Sequence, residues 1–263
     1  LAMGTFKNWT IKTTRNLGYR KAHRRFDRDP IVLGGCGRSG TTLLLSILSA
    51  HPDIFAIPYE TVGLMKWGEQ FPDGASSEKK PVPTRIDRIY RYLMLKNIPA
   101  EARCWCEKTP RNVRYIEQIL NYWDSARFVN IIRDPRDVLT SRHRKDPEAY
   151  WVPLNRWVRD IQEGLAFEDN PRVHTIRYEE LVQDYEASVR KLCAFLDLEL
   201  VPEILNWHEH ATVRRNQAWK GKVVKLHTDS VKKWERPEHA QRLAEIRNDE
   251  RITRLMDQLG YHD

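Results

Sequence analysis

The stretch Ile31-Val-Leu-Gly-Gly-Cys-Gly-Arg-Ser-Gly-Thr-Thr-Leu-Leu-Leu45 limits what this chain can fold into more than any other. Ile31 to Leu33 are apolar and read as a short buried strand. Gly34, Gly35, Gly37 and Gly40 then let the backbone turn tightly, and from Thr41 the apolar residues Leu44, Ile47 and Leu48 recur at helical spacing. A strand, a glycine-rich turn and a helix in that order aim several backbone N–H groups at one point in front of a helix N-terminus. The helix dipole there also favours negative charge. The loop is therefore expected to hold an anion.

The rest of the chain repeats the alternation. Apolar runs at 54–57, 102–107, 127–132 and 173–178 read as strands, and helical patterns fall at 86–95, 111–120, 151–167 and 184–196. Pro58 to Thr61 should open a further helix reaching Trp67 and Phe71, and 72–83, rich in Gly, Ser, Pro and Lys, should be a loop. Asp134 followed by Pro135 is an N-cap with proline at the first helical position, and that helix should carry Ser141 on its face. The tail from 201 reads as helix, then a polar and basic stretch over 219–230, then an amphipathic pattern over 237–259. The pattern predicts an α/β fold: a P-loop-like three-layer domain with a mainly parallel central sheet flanked by helices. We place it at residues 29–263, preceded by a basic extension, residues 1–28, lying across the surface. The strand at 54–57 is expected to run beside the phosphate-loop strand.

Composition narrows the function classes. With 44 Lys and Arg against 36 Asp and Glu in 263 residues, the formal charge of +8 favours an anionic ligand. The basic residues are nevertheless interspersed with acids in helical patterns, and the nine tryptophans are spread along the chain, so no nucleic-acid partner is expected. Four cysteines make neither a disulfide framework nor a zinc site; Cys104 and Cys106, two apart in a strand, should face the same side as packed hydrophobes. No apolar run approaches the roughly 20 residues that span a bilayer, and a soluble, cytoplasmic protein is the expectation.

The loop chemistry is more specific. Gly35 and Gly40 bracket four residues, as in nucleotide-hydrolysing loops, but the position those loops give to Lys is Thr41. What is offered instead is Arg38 with the hydroxyls of Ser39, Thr41 and Thr42, a set suited to a sulfated or phosphorylated ligand that needs no metal. A second cluster, Arg133-Asp-Pro-Arg136-Asp-Val-Leu-Thr-Ser141, puts an arginine at the carboxyl end of a strand, the edge where ligands of open α/β sheets bind. The arginine fork there can grip a terminal phosphate, or it can pair with Asp134 or Asp137.

Gly-Arg-Ser-Gly-Thr-Thr resembles the 5′-phosphosulfate loop of sulfotransferases that use 3′-phosphoadenosine 5′-phosphosulfate (PAPS). Arg-Asp-x-Arg with a serine eight residues after the first arginine resembles their 3′-phosphate motif. The two occur in the family's order, with Glu107-Lys108-Thr109-Pro110 between them. The cytosolic small-molecule branch carries Lys-Gly-x-x-Gly-x-Trp late in the chain; here Lys220-Gly221 is followed by Lys222-Val223-Val224. The pattern looks closer to the bacterial, tyrosylprotein and glycan branches. The resemblance implies PAPS as donor, released as adenosine 3′,5′-bisphosphate, and a hydroxyl-bearing acceptor: a small molecule, a glycan or a peptide tyrosine. It implies that Gly37, Arg38, Ser39, Gly40, Thr41 and Thr42 bind the 5′-phosphosulfate, that Arg133 and Ser141 bind the 3′-phosphate, and that Thr228 or Ser230, with Lys220 or Lys222, closes over the nucleotide. Arg38 and Lys108 would neutralise the leaving oxygen and Glu60 would take the acceptor's proton, with His143 and His227 as the other candidate bases. No metal is implied. The other classes considered are a P-loop kinase or NTPase, for which Asp134 is the candidate Mg²⁺ ligand, and a basic nucleic-acid-binding module.

Overall fold

The computed structural model describes residues 2–69, 81–143, 146, 148–214 and 231–262. Its centre is a sheet of five parallel strands: β1 (Ile31–Gly35), β2 (Ile54–Ala56), β5 (Cys104–Lys108), β6 (Arg127–Ile132) and β7 (Val173–Arg177), in the spatial order β2-β5-β1-β6-β7. Two short antiparallel strands, β3 (Trp67–Glu69) and β4 (Pro81–Pro83), pair apart from it. Side chains alternate across the sheet, as the pleat requires. Ile31 and Leu33 of β1, Cys104 and Cys106 of β5 and Val129 and Ile131 of β6 enter one core with the helices Thr41–Leu48 and Tyr185–Phe195. Val32, Trp105 and Phe128 enter the opposite core with the helices Asp87–Leu95 and Ile116–Tyr122. A third cluster gathers around Cys36 and Ile132, packed by the helices Pro135–Leu139, Leu154–Leu165 and Glu250–Leu259. Strands buried on both faces explain the near-continuous apolar runs in the sequence. All four cysteines are buried free thiols, and Cys104 and Cys106 share a face as expected.

Several expectations need correction. The strand at 54–57 is present, but it lies at the sheet edge against β5, and β5 separates it from β1. Residues 58–66 form no helix; they run as irregular chain and turn into β3, while Phe71 lies outside the described residues. Of the loop at 72–83, only its end is described, as β4. The helix expected at 111–120 begins as a 3₁₀ turn, Pro110–Tyr115, before Ile116–Tyr122. The helix after β6 ends at Leu139 with Thr140 as its C-cap, so Ser141 follows it rather than riding on its face.

The basic N-terminus is a helix, Ala2–Arg25, lying on Asp87–Leu95. The backbones come close at Gly18, where a Cβ would fall 2.3 Å from the Tyr90 carbonyl oxygen. Lys21 donates to the carbonyls of Met94 (2.9 Å) and Lys96 (2.7 Å), satisfying acceptors at the end of that helix. Ala22 and Phe26 are buried in the adjoining core. No helix among the described residues is long and apolar enough to cross a membrane.

Candidate active site

The parallel strands deliver their carboxyl ends to one edge, and the chain leaves β1 in one direction and β6 in the other, opening a crevice between them. The glycine loop fills it. Gly35, at φ 139°, sits where a Cβ would lie 2.3 Å from the Ile131 carbonyl oxygen, and Gly40, at φ 97°, sits where one would lie 2.5 Å from the Tyr178 ring. Arg38 also has a positive φ, 74°, a strained conformation for a residue with a side chain. Gly40 is the N-cap of Thr41–Leu48, and no side chain caps that helix. Ser39 Oγ is fully buried and has no hydrogen-bond partner among the described residues. Free helix N–H groups beside an orphaned buried hydroxyl fit an anionic guest.

Arg133, one residue past β6, is brought against this loop. Its Nη1 donates to the Arg38 carbonyl (3.3 Å), its Nη2 to Asp137 (3.1 Å), and its guanidinium lies 4.2 Å from the centre of the Tyr178 ring, the ring that meets Gly40. Of the two pairings the sequence left open, Arg133 takes Asp137, while Asp134 caps its helix through the Arg136 N–H and holds the Arg136 side chain. Asp134, the carboxylate considered for Mg²⁺, is thus engaged by its own helix and by Arg136. Asp137 also accepts the N–H groups of Lys232 (3.0 Å) and Trp234 (3.3 Å), tying the chain that follows residue 230 to the arginine. The Arg38 side chain is exposed; desolvation and the Arg133 charge pull its pKa down from the usual arginine value, and it remains a cation.

On the other side of the loop, β5 ends in Lys108, in register with Leu33 of β1. Its side chain is 1% exposed, and its Nζ lies 2.7 Å from Glu60 Oε1, whose side chain is 48% exposed. Glu60, singled out by its place after the strand at 54–57, thus lies against Lys108 at the end of β5, a contact the sequence did not suggest, because β2 runs beside β5 and not beside β1. Tyr59, the exposed neighbour of Glu60 in the chain, meets Tyr92 edge to face at 5.2 Å.

Ser141 Oγ donates to the Asp137 carbonyl (2.9 Å), and its own carbonyl accepts from Trp151 N–H (2.8 Å). His143 stacks on Trp151 at 4.5 Å. Thr228, Ser230, Lys220, Lys222 and His227 lie outside the described residues.

Other residues at this edge were not picked from the sequence. A Cβ on Gly37 would lie 3.1 Å from Arg156 Nη2 and 3.8 Å from Trp151 Nε1. Arg156 and Arg114 share the buried Asp160, at 3.4 and 2.5 Å. Glu107 is completely buried, and burial pushes its pKa up although four hydrogen bonds pull the other way. Acidic residues at otherwise buried positions were the signal available for both, since a carboxylate inside must be paired.

The profile of the sulfotransferase family matches residues 30–203. A putative protein-tyrosine sulfotransferase of Caenorhabditis briggsae is 26% identical over 194 residues, covering 68% of this chain and 69% of the relative. Protein-tyrosine sulfotransferase 1 of Danio rerio is 26% identical over 219 residues, covering 76% of this chain and 61% of its own. Among solved structures, the sulfotransferase domain from the Synechococcus PCC 7002 olefin synthase superposes with a TM-score of 0.55 at 20% identity, covering 84% of this chain and 94% of that one. The sulfotransferase domain from the curacin biosynthetic pathway gives 0.52 at 18% identity, covering 90% and 99%. At such identities the superpositions speak for the fold alone, whereas the family profile spans the loop, both strand-end motifs and well over half the sequence: the chain belongs to the sulfotransferase family.

Proposed function

We propose that this sulfotransferase takes its sulfuryl group from PAPS and passes it to an acceptor hydroxyl, a protein tyrosine being the class named by the curated relatives. The observation that carries the reading is the Lys108–Glu60 pair at 2.7 Å on the strand next to the glycine loop, a buried cation beside a carboxylate that reaches solvent. The backbone of residues 37–42, with the Ser39, Thr41 and Thr42 hydroxyls, binds the 5′-phosphosulfate; Arg133 and Ser141 bind the 3′-phosphate, and Thr228 or Ser230 completes the nucleotide site. Glu60 accepts the proton as the acceptor oxygen attacks sulfur. The bond from sulfur to the bridging oxygen breaks in line, and Lys108 with Arg38 neutralises the charge that collects on the phosphate as adenosine 3′,5′-bisphosphate leaves. As in phosphoryl transfer, most of the acceleration then comes from positioning and charge stabilisation.

The test compares ligands by thermal stability and then measures transfer. Adenosine 3′,5′-bisphosphate should raise the melting temperature and ATP with Mg²⁺ should not, because a true ligand stabilises by mass action. Labelled sulfate should pass from PAPS to a tyrosine peptide in the presence of a chelator. Stabilisation by ATP with Mg²⁺ alone would replace this reading with a kinase or NTPase.

A further inference from the structure

We infer that Glu107 is a positioning residue for the transfer step: its carboxylate clamps Thr61, and with it the adjoining Glu60, onto the end of the strand that carries Lys108. The inference rests on the reading of Glu60 as the base. Glu107 lies in β5 with no exposed surface. One oxygen, Oε1, accepts from Thr61 N–H (3.2 Å), Thr61 Oγ1 (2.8 Å) and Thr109 Oγ1 (2.7 Å); the other, Oε2, accepts from Asn112 Nδ2 (2.7 Å). Asn112 Nδ2 also donates to the Leu33 carbonyl of β1 (3.2 Å), just ahead of the glycine loop. A single carboxylate thus ties together the loop strand, the lysine strand and the segment bearing the base.

The pairing has a register. Consecutive strand residues point to opposite faces, so Glu107 and Lys108 reach out on the two sides of β5. They meet two consecutive residues of the other segment, Thr61 and Glu60 respectively. Holding Thr61 N–H also fixes the planar peptide that joins it to Glu60. From the far side, Arg88 Nη1 donates to the Thr61 carbonyl (3.2 Å), and Val62 N–H donates to Thr109 Oγ1 (3.3 Å). Val62 itself is at φ 48°, a left-handed conformation that a β-branched residue rarely adopts. Such strain persists where the surroundings over-determine it. The hydrogen bonds converging on Thr61 and Thr109 supply that constraint, and the residue they hold in place is next to the one that must meet the acceptor.

The experiment uses Glu107→Gln, Glu60→Gln, the double variant, Thr61→Val and Thr61→Ser, with PAPS and a tyrosine peptide. Glu107→Gln keeps the size but removes one acceptor oxygen. It should lower kcat by about tenfold or more and leave the dissociation constant of adenosine 3′,5′-bisphosphate within about twofold; in the Glu60→Gln background it should cost nothing further, since residues that act as a unit are non-additive. Thr61→Val should behave likewise, and Thr61→Ser, which keeps the hydroxyl, should restore most of kcat. A merely structural role predicts equal loss with and without Glu60, and that result, or wild-type kcat in a folded Glu107→Gln protein, overturns the inference. Should Glu107→Gln fail to fold, the Thr61 pair carries the same comparison. If Glu60→Gln turns over like the wild type, it is the reading of the base that falls. The clamp is then judged by a crystal structure of Glu107→Gln, or of Thr61→Val if the former does not fold: separation of Glu60 from Lys108 beyond hydrogen-bonding distance supports it and an unchanged 2.7 Å contact refutes it.

Discussion

The Arg133 side chain meets the Arg38 carbonyl, the Asp137 carboxylate and the face of Tyr178. A fork held this way is pre-organised, so a phosphate that reaches it displaces little and pays little ordering entropy. Arg133→Ala is expected to weaken adenosine 3′,5′-bisphosphate by about 2 kcal/mol, the cost of losing a charge-assisted contact, and to leave adenosine 5′-phosphate nearly unchanged. Isothermal titration of both nucleotides checks it; an equal loss for the two would assign Arg133 to the fold. The sequence made this arginine visible because a strand and an N-capped helix bracket it. Its partner was not legible, because Asp134 and Asp137 differ only in which way the first turn of that helix carries them. The structure resolves the choice by using Asp134 as the cap, which turns its carboxylate toward Arg136 and leaves Asp137 for Arg133.

The glycine loop tolerates little change. Gly40 has φ 97°, and a Cβ there would lie 2.5 Å from the Tyr178 ring, so Gly40→Ala combines a left-handed backbone with a clash against the ring on which Arg133 lies. We expect a loss of at least about 2 kcal/mol in denaturant unfolding together with weaker nucleotide binding. The core strands and the loop were readable because each is local: apolar runs, glycines, a proline at a helix start. The segment at 58–66 was not. Pro58 followed by polar residues looks like a helix start, yet Glu107 and Lys108, more than forty positions away in the chain, hold Thr61 and Glu60 in an irregular path. The N-terminal helix was missed for a different reason: it has no amphipathic face, and packing through Gly18 replaces the usual apolar stripe. The edge position of β2 is a matter of strand order, which an apolar run does not encode.

For the molecule as a whole, the donor and the acceptor fall to different parts of the chain in the proposed function. In that reading the loop after β1 and the turn after β6 would handle the nucleotide, while the segment after β2, near Asp87–Leu95, would face the acceptor. Family membership and the parallel sheet follow from the first part, where the motifs are sharp. The segment after β2 carries no comparable signature because its geometry is made by long-range ties such as Glu107 to Thr61. One property spans both parts. Every cysteine is inside: Cys104, Cys106 and Cys193 lie in one core and Cys36 in the cluster under the loop. Burial pushes their thiols up, to about 12 for Cys104 and about 11 for Cys193. Only the thiolate attacks a disulfide reagent, so at neutral pH the native state should be inert to one and each thiol should react only when its surroundings open. Labelling read by mass spectrometry is then expected to pass from none to four adducts with few intermediates, at a rate that adenosine 3′,5′-bisphosphate slows; early single labelling of Cys36 would instead show the loop opening alone. The chain thus carries four internal reporters of its own breathing, with no cysteine to be introduced.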